Sequence, residues 1–362
     1  MYVKNLKLRN FRNYDNLSID FDDGINILYG DNAQGKTNIL EAIYVSATTK
    51  SHKGSKEKEI IKISENESHI KMILNRDNVA HKIDMHLRRN KTKGVAINGI
   101  PIRKTSELFG IINIVFFSPE DLNLIKNGPA ERRRFIDFEL CQLDKVYLHN
   151  LSNYNKIITQ RNNLLKQISF NSNLLDTLSI WDKQLVRYGV SLIESRNKFV
   201  NQLNELIYGI HKKLSGGNEE FIIKYQPNVT IENFESKLLN ARDKELKSQM
   251  TTVGPHRDDI NFLIGDIDIR KFGSQGQQRT CALSVKLAEI ELVKKIINNK
   301  PVLLLDDVLS ELDNKRQNYL LDSIDGIQTI LTCTGLDEFV NSRIKFNRIY
   351  NVVKGTVKEI VY

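Results

Sequence analysis

The sequence predicts an α/β fold assembled from the N- and C-terminal segments of the chain, with a mainly helical second domain inserted between them. Three observations point there. A strand, a glycine-rich loop and a helix follow one another between Ile25 and Ala47. Strand and helix alternation resumes after Gly254. Between the two, from Ser118 to about Lys247, β-branched alternation gives way to Leu, Asn, Lys and Glu at helical spacing. The expected boundaries are therefore 1–117, 118–247 and 248–362.

Taken in order, Tyr2 to Leu8 and Leu17 to Phe21 alternate apolar and polar residues, and Gly24 to Gly30 is a short apolar run closed by glycine, so all three read as strands. Apolar spacing of three to four begins near Thr37 with Ile39, Leu40, Ile43 and Tyr44, which predicts a helix. Further strands are expected at Ile70–Leu74, Val79–Leu87 and Val95–Ile97, with Ile97-Asn98-Gly99-Ile100 as a hairpin turn. The middle of the chain carries Leu148, Leu151, Tyr154 and Ile158, and then Arg187 to Leu206, at helical spacing, with a turn at Gly216-Gly217-Asn218. Its length allows arms of at most roughly 90 Å at 1.5 Å per residue, too short for a long coiled-coil rod. Beyond it are expected a helix from Gln277 to about Asn298, a buried strand Val302–Leu305, a helix Asp313–Ile324 and a strand Gln328–Leu331.

Composition narrows the class. With 362 residues, 40% of them hydrophobic, the chain supplies one large core or two to three smaller ones, which excludes disordered and collagen-like readings. No apolar stretch approaches the roughly 18 residues of a membrane helix, and the chain opens on the alternating Val3, Leu6 and Leu8 rather than on a charged leader, so a protein with no export signal and no membrane partner is expected. Cys141, Cys281 and Cys333 are far apart and match neither a disulfide framework nor metal-ligand spacing, which fits buried thiols in a reducing cytoplasm. Fifty-three Lys and Arg against 44 Asp and Glu leave a net charge of +9, compatible with an acidic polymer as partner.

Three motifs carry chemistry. Gly30-Asp31-Asn32-Ala33-Gln34-Gly35-Lys36-Thr37 fits the phosphate-loop pattern and sits between a strand and a helix. Its glycines let the backbone wrap a phosphate, Lys36 reaches the β and γ phosphates, and Thr37 offers a hydroxyl to Mg2+. Val302-Leu303-Leu304-Leu305-Asp306-Asp307 is a buried parallel strand ending in two carboxylates. Asp306 is expected to hold the metal, and Asp307 to orient and deprotonate a water. Phe272-Gly273-Ser274-Gln275-Gly276-Gln277-Gln278-Arg279 leads into the helix expected from Gln277 and makes a second anion site at its N-terminus.

Together these pieces resemble the ABC-type ATPase heads of the SMC and DNA-repair class. Ser274-Gln275-Gly276-Gln277-Gln278 stands where that class has its signature loop, and Ser310-Glu311-Leu312-Asp313 resembles its D-loop. In such heads the signature loop completes the nucleotide site of the opposite protomer, so the resemblance implies an ATP-dependent homodimer in which Ser274, Gly276 and Gln277 face the partner's nucleotide. Leu8 to Tyr14, Phe117 to Asp137 and Val253 to Asp259 narrow the resemblance to the RecF family of bacterial recombination mediators, over the whole chain. That resemblance implies ATP-dependent binding of single- and double-stranded DNA at gaps, action with RecO and RecR to load RecA, support of the SOS response, a slow DNA-stimulated ATPase, and nucleotide contacts from Arg12 and Asn13 on the first strand. Thr332-Cys333-Thr334 replaces the switch histidine of transporter heads, Ser118 to Asp121 lacks a Q-loop glutamine, and Asp307 is one methylene shorter than the usual glutamate. Slow hydrolysis is the expected consequence.

Lys53, Lys56, Arg88, Arg89, Lys91 and Lys93 form two basic stretches that suit phosphate-backbone contacts, with no base-reading motif beside them. Arg132, Arg133, Arg134, His256 and Arg257 fit a structural or a DNA-contacting role equally. An energising subunit of a membrane transporter shares the phosphate loop and acidic strand end, and an SMC-like chromosome clamp shares the head. The first is disfavoured by the missing histidine and the second by the short insert.

Overall fold

The structure, a computed structural model, describes residues 1–217, 219–336 and 346–360. The chain opens with β1 (Tyr2–Phe11), β2 (Tyr14–Asp20), β3 (Ile25–Tyr29), α1 (Lys36–Thr48) and α2 (Glu57–Ile60). Next come β4 (Glu67–Arg76), β5 (Val79–Arg88), β6 (Gly94–Ile97), β7 (Ile100–Pro101) and β8 (Ile114–Phe117). The helical stretch holds α3 (Leu122–Lys126), α4 (Pro129–Leu143), α5 (Lys145–Ile168) and α6 (Leu178–Ser215), then β9 (Phe221–Gln226), α7 (Phe234–Asn240) and α8 (Arg242–Ser248). Last are β10 (Asp259–Ile264), β11 (Ile267–Asp268), α9 (Ile269–Phe272), α10 (Gln275–Ile297), β12 (Val302–Asp306), α11 (Asn314–Ser323), β13 (Thr329–Cys333), β14 (Arg348–Val353) and β15 (Thr356–Ile360).

Two compact units result: residues 1–121 with 289–362, and residues 122–288. The first contains two six-stranded sheets. One is largely parallel, in the order β15-β14-β3-β13-β12-β8, with only β15 antiparallel. The other is antiparallel, in the order β2-β1-β4-β5-β6-β7. Helix α1 touches β4 and β5 of one sheet and β12 and β13 of the other, which explains why it is buried almost all round. Strands β8 and β12 are buried over Ile114–Phe117 and Val302–Leu305, as continuous apolar runs in a covered parallel sheet should be. The turn at Ile97-Asn98-Gly99-Ile100 closes β6 on β7, with Asn98 at φ 52° and Gly99 at φ 82°, the left-handed pair a tight hairpin demands.

The second unit pairs α5 with α6, of 24 and 38 residues. It is not helical throughout: β9, β10 and β11 form a three-stranded antiparallel sheet. The sequence reading ends the insert at Lys247, whereas this unit runs on to Ala288. The cause is pairing, since β9 and β10 join over six residue pairs from Asp259↔Gln226 to Ile264↔Phe221. Buried ion pairs add to it: Arg132 to Asp259 at 2.6 Å, and Arg196 to Asp137 and Asp258, both at 2.8 Å. Gly216 caps α6 at φ 82° and Gly217 follows at φ 96°; Asn218, the third residue of the expected turn, lies outside the described residues.

Candidate nucleotide-binding site

The phosphate loop links β3 to α1 at the carboxyl ends of the parallel strands, where an α/β sheet opens its crevice. Two of its positions require glycine. Gly30 stands at φ 149° with the Val352 carbonyl only 2.4 Å from where a Cβ would sit, and Gly35 at φ 115° with the Asn13 amide at 2.5 Å. The C-terminal hairpin β14–β15 holds the loop from one side: Gly355 N–H donates to the Gln34 carbonyl (3.1 Å) and Lys354 N–H to Gln34 Oε1 (2.7 Å). The β1–β2 turn holds it from the other, with Asn13 Nδ2 donating to the Gln34 carbonyl (3.0 Å) and Tyr14 OH to the Gly35 carbonyl (3.1 Å).

A cavity of about 460 Å³ opens over the loop, within the roughly 300–1,000 Å³ of small-molecule sites. Its lining takes in Asn32 to Asn38, His52, Lys53, Ser118 to Glu120, Asp306, Asp307 and Thr332. Lys36 is buried and its ammonium donates to the carbonyls of Gly30 and of Asp31, the latter at 2.8 Å. Burial lowers its pKa, opposed by the carboxylates of Asp307, Asp306 and Asp31.

Thr37 Oγ1 and Thr332 Oγ1 both donate to Asp306 Oδ1, at 2.7 and 2.9 Å. Thr332, in the stretch read as standing in place of a switch histidine, thus fixes the first acid. It also accepts from the backbone N–H of Asp307 at 3.0 Å. Asp307 sits at φ 52°, and its Oδ1 is buried without a hydrogen-bond partner among the described residues. Hard oxygen donors from Thr37 and Asp306, beside an orphaned carboxylate oxygen, are a donor set that fits Mg2+. Ser310, of the stretch resembling a D-loop, donates through Oγ to the Asp307 carbonyl at 2.8 Å, and Asp313 caps α11 by accepting from Arg316 N–H at 3.0 Å.

Arg12 and Asn13 lie on the two-residue turn after β1 rather than on the strand itself. The Arg12 guanidinium clasps the fully buried Glu41 of α1 through two bonds, 2.8 and 2.7 Å, and donates to Ser55 Oγ and the Glu59 carbonyl. Burial works to raise the Glu41 pKa, yet the bonds from Arg12 and Ser51 hold it below the ordinary carboxylate value. His52 packs on Phe116 with ring centroids 4.3 Å apart, and burial pushes its pKa down to about 4, so a neutral imidazole faces the cavity at pH 7. Neither Glu41 nor His52 was signalled by a motif. The one available cue for Glu41 is an acid within the otherwise apolar run Ile39 to Val45, which demands a partner.

Ser274, Gly276 and Gln277 belong to the second unit, at the start of α10. Ser274 and Gln277 form a reciprocal cap: Gln277 N–H donates to Ser274 Oγ (3.2 Å) and Ser274 N–H to Gln277 Oε1 (3.0 Å). Gln277 Nε2 donates in turn to Glu219 Oε1 (2.8 Å), and the other oxygen of Glu219 lies 3.2 Å from Nε2 of the buried His211. His211 Nδ1 is 2.9 Å from Ser284 Oγ on α10. Ser274 and Gly276 are exposed.

Of the basic candidates, Lys53, Lys56 and Lys91 are exposed. Arg88 donates to the Thr92 carbonyl, Arg89 to the carbonyls of Glu65, Lys62 and Ile63, and Lys93 to the Thr49 carbonyl and to Glu57 at 2.5 Å. Those three tie loops together. Arg132 is buried on Asp259, Arg133 donates to the Asp258 carbonyl, and His256 bonds Tyr154 OH and the Thr251 carbonyl, while Arg257 is exposed.

The family model described as RecF/RecN/SMC N terminal domain matches residues 2–358. A DNA replication and repair protein RecF of Lachnoclostridium phytofermentans is 66% identical over 359 residues, spanning 99% of this chain and 100% of that protein. Its counterpart in Agathobacter rectalis is 63% identical over 99% of both chains. A solved structure of the recombination mediator protein RecF with ATP, in the RecFOR pathway, superposes with a TM-score of 0.93 at 35% identity, over 99% of this chain and 98% of that one. The Smc head domain of Pyrococcus furiosus shares the fold, with a TM-score of 0.58 at 17% identity over 99% of this chain and 96% of that one.

Proposed function

The chain belongs to the RecF family and has the fold of an ABC-type ATPase head, and on that premise we propose that it is an ATP-gated, DNA-binding protein of recombinational repair and replication. In this reading two protomers sandwich two ATP molecules, bind single- and double-stranded DNA at gaps, and act in the cytoplasm with RecO and RecR to load RecA and support the SOS response. The observation that carries it is the bond from Thr37 to Asp306, which closes the phosphate loop onto the acidic strand end. Bound there, Mg2+ would be held by Thr37 and Asp306 and would neutralise charge on the β and γ phosphates.

The chain's own groups perform the rest. Loop N–H groups and Lys36 cradle the phosphates, the Lys36 ammonium exchanging carbonyl partners for phosphate oxygens. Asp307 orients a water for in-line attack and takes up its proton as ADP and phosphate separate. Glu120 lines the cavity in the stretch where a Q-loop glutamine is missing. A carboxylate cannot donate to the water as an amide can, which suits slow, DNA-stimulated turnover. Ser274 Oγ accepts from Gln277 N–H and keeps its own proton for the partner's γ phosphate.

Exposed Lys53, Lys56 and Lys91 supply the phosphate contacts to DNA, with Arg88, Arg89 and Lys93 shaping the surface that carries them. Fluorescence anisotropy with a gapped duplex, without nucleotide, with ADP and with a non-hydrolysable ATP analogue, tests the reading across a salt series. Binding should be at least tenfold tighter with the analogue and fall with salt by about 0.9 in logarithmic slope per phosphate contacted. Equal affinity in all three states would refute it.

A further inference from the structure

The antiparallel sheet of the first unit buries Ile70, Met72 and Leu74 of β4 and Ile83, Met85 and Leu87 of β5, which sends their neighbours to the opposite face. There Glu67, His69 and His86 come together. His69 and His86 are directly opposed across the β4–β5 ladder, their rings stacked with centroids 4.1 Å apart and planes at 19°. Glu67, two residues before His69, reaches both: one carboxylate oxygen lies 2.8 Å from His86 Nε2 and the other 3.7 Å from His69 Nε2.

We propose that Glu67, His69 and His86 form a binding site for a divalent transition-metal ion of the zinc class. One ligand atom from each residue lies within 4.8 Å of the other two. A tetrahedral ion with bonds of 2.0–2.1 Å sets its ligands about 3.3 Å apart, so ligand atoms already within 4.8 Å of one another have at most roughly 1.5 Å to close. Small side-chain rotations on a fixed ladder complete the set. Two imidazole nitrogens and one carboxylate select zinc, nickel or copper over the hard ions Mg2+ and Ca2+. Side-chain exposures of 51%, 43% and 35% leave the fourth position to water.

Protonation supports the geometry. Burial and the neighbouring His86 lower the pKa of His69, and the His86 bond lowers that of Glu67, so neutral imidazole and ionised carboxylate are favoured near neutral pH. The surroundings set the strength. In register, Arg9 of β1 faces His69, Arg88 faces Glu67, and Lys71, beyond His69, lies between Lys7 and Asp84. Gly94 of β6 faces His86 and adds no side chain over it. Arg9, Arg88, Lys7 and Lys71 surround the site with positive charge, and Asp84 is already paired with Lys82 at 3.0 Å, so the affinity lies below that of a closed structural zinc site.

Titration calorimetry of the full chain with Zn2+, in excess Mg2+ to occupy oxygen-donor sites, tests the assignment. The wild-type protein should show one micromolar equivalent that weakens at least tenfold in His86→Gln and in His69→Gln, and by a smaller factor in Glu67→Gln. The same equivalent should weaken from pH 7.5 to 6.0 as protons compete for the imidazoles. Thermal melts separate folding from binding: without zinc the variants should melt with the wild type, and zinc should raise only the wild-type midpoint. An unchanged isotherm in all three variants, with thiols or the cavity accounting for the zinc, would overturn the proposal, as would no binding below about 100 µM.

Discussion

Asp307 combines a left-handed backbone, φ 52°, with a buried oxygen that has no partner among the described residues. The first costs an L-residue roughly 1 kcal/mol or more, and the second leaves a desolvated acceptor, a combination of strain and unmet polarity that is characteristic of functional positions. His256 illustrates the opposite case, a titratable side chain consumed by structure. Its Nε2 faces the Thr251 carbonyl and so carries the proton, leaving Nδ1 to accept from Tyr154 OH. Burial, reinforced by Arg257, Arg133 and Arg196, lowers its pKa to about 4. The unfolded chain takes up this proton near 6.5 and the folded chain only near 4, so stability present above pH 6.5 is lost as pH falls through that window. His52 acts in the same direction. Urea midpoints should therefore drop between pH 7 and 4.5, with His256 contributing on the order of 1–3 kcal/mol. His256→Asn should flatten the slope even where it lowers the midpoint overall; an unchanged slope would contradict the assignment. The motif residues Lys36, Thr37, Asp306 and Asp307 were legible in the sequence because their chemistry is bound to short spacing. Glu41 and His52 were not, because each acquires its place only through partners such as Arg12 and Phe116, and Thr332 was read for the histidine it replaces rather than for its bond to Asp306.

Helix α10 is fastened at its tip by a side-chain relay. Gln277 holds Ser274 through the cap, Glu219 orients the Gln277 amide so that Nε2 points away from the serine, and His211 stands against Glu219. Glu219 therefore acts on the helix end through the geometry of the Gln277 amide. Glu219→Ala should leave ATP binding by the monomer unchanged, since the cavity belongs to the first unit, yet weaken ATP-driven pairing about tenfold, equivalent to about 1.4 kcal/mol. Equilibrium sedimentation reads the pairing, Glu219→Gln should recover part of it, and wild-type pairing in Glu219→Ala would rule the relay out. The elements themselves were unevenly legible. Strands β3 and β12 and helices α1 and α10 announce themselves by apolar runs and period. Strand β9 does not, because Phe221 to Gln226 is a short stretch amid helical neighbours whose partner, β10, lies more than thirty residues away. The hairpin β14–β15 is equally quiet, although it pins the phosphate loop through Gly355 and Lys354.

For the whole molecule, the division into two units follows from which segments pair, and periodicity alone cannot supply that. The first unit carries the cradle and the acids; the second carries the serine tip. The first unit presents a buried carboxylate oxygen without a hydrogen-bond partner among the described residues, and the second an exposed serine at a helix N-terminus. In the proposed cycle, ATP joins the cradle of one protomer to the serine tip of another, and this joining controls the hold on DNA. Sedimentation velocity of the hydrolysis-blocked Asp307→Ala protein, with and without ATP and with and without Ser274→Arg, tests that claim most directly. Monomers without ATP, dimers with it, and monomers that still bind ATP when Ser274→Arg is added are the predicted results. Dimers that form regardless of ATP, or that survive Ser274→Arg, would contradict it.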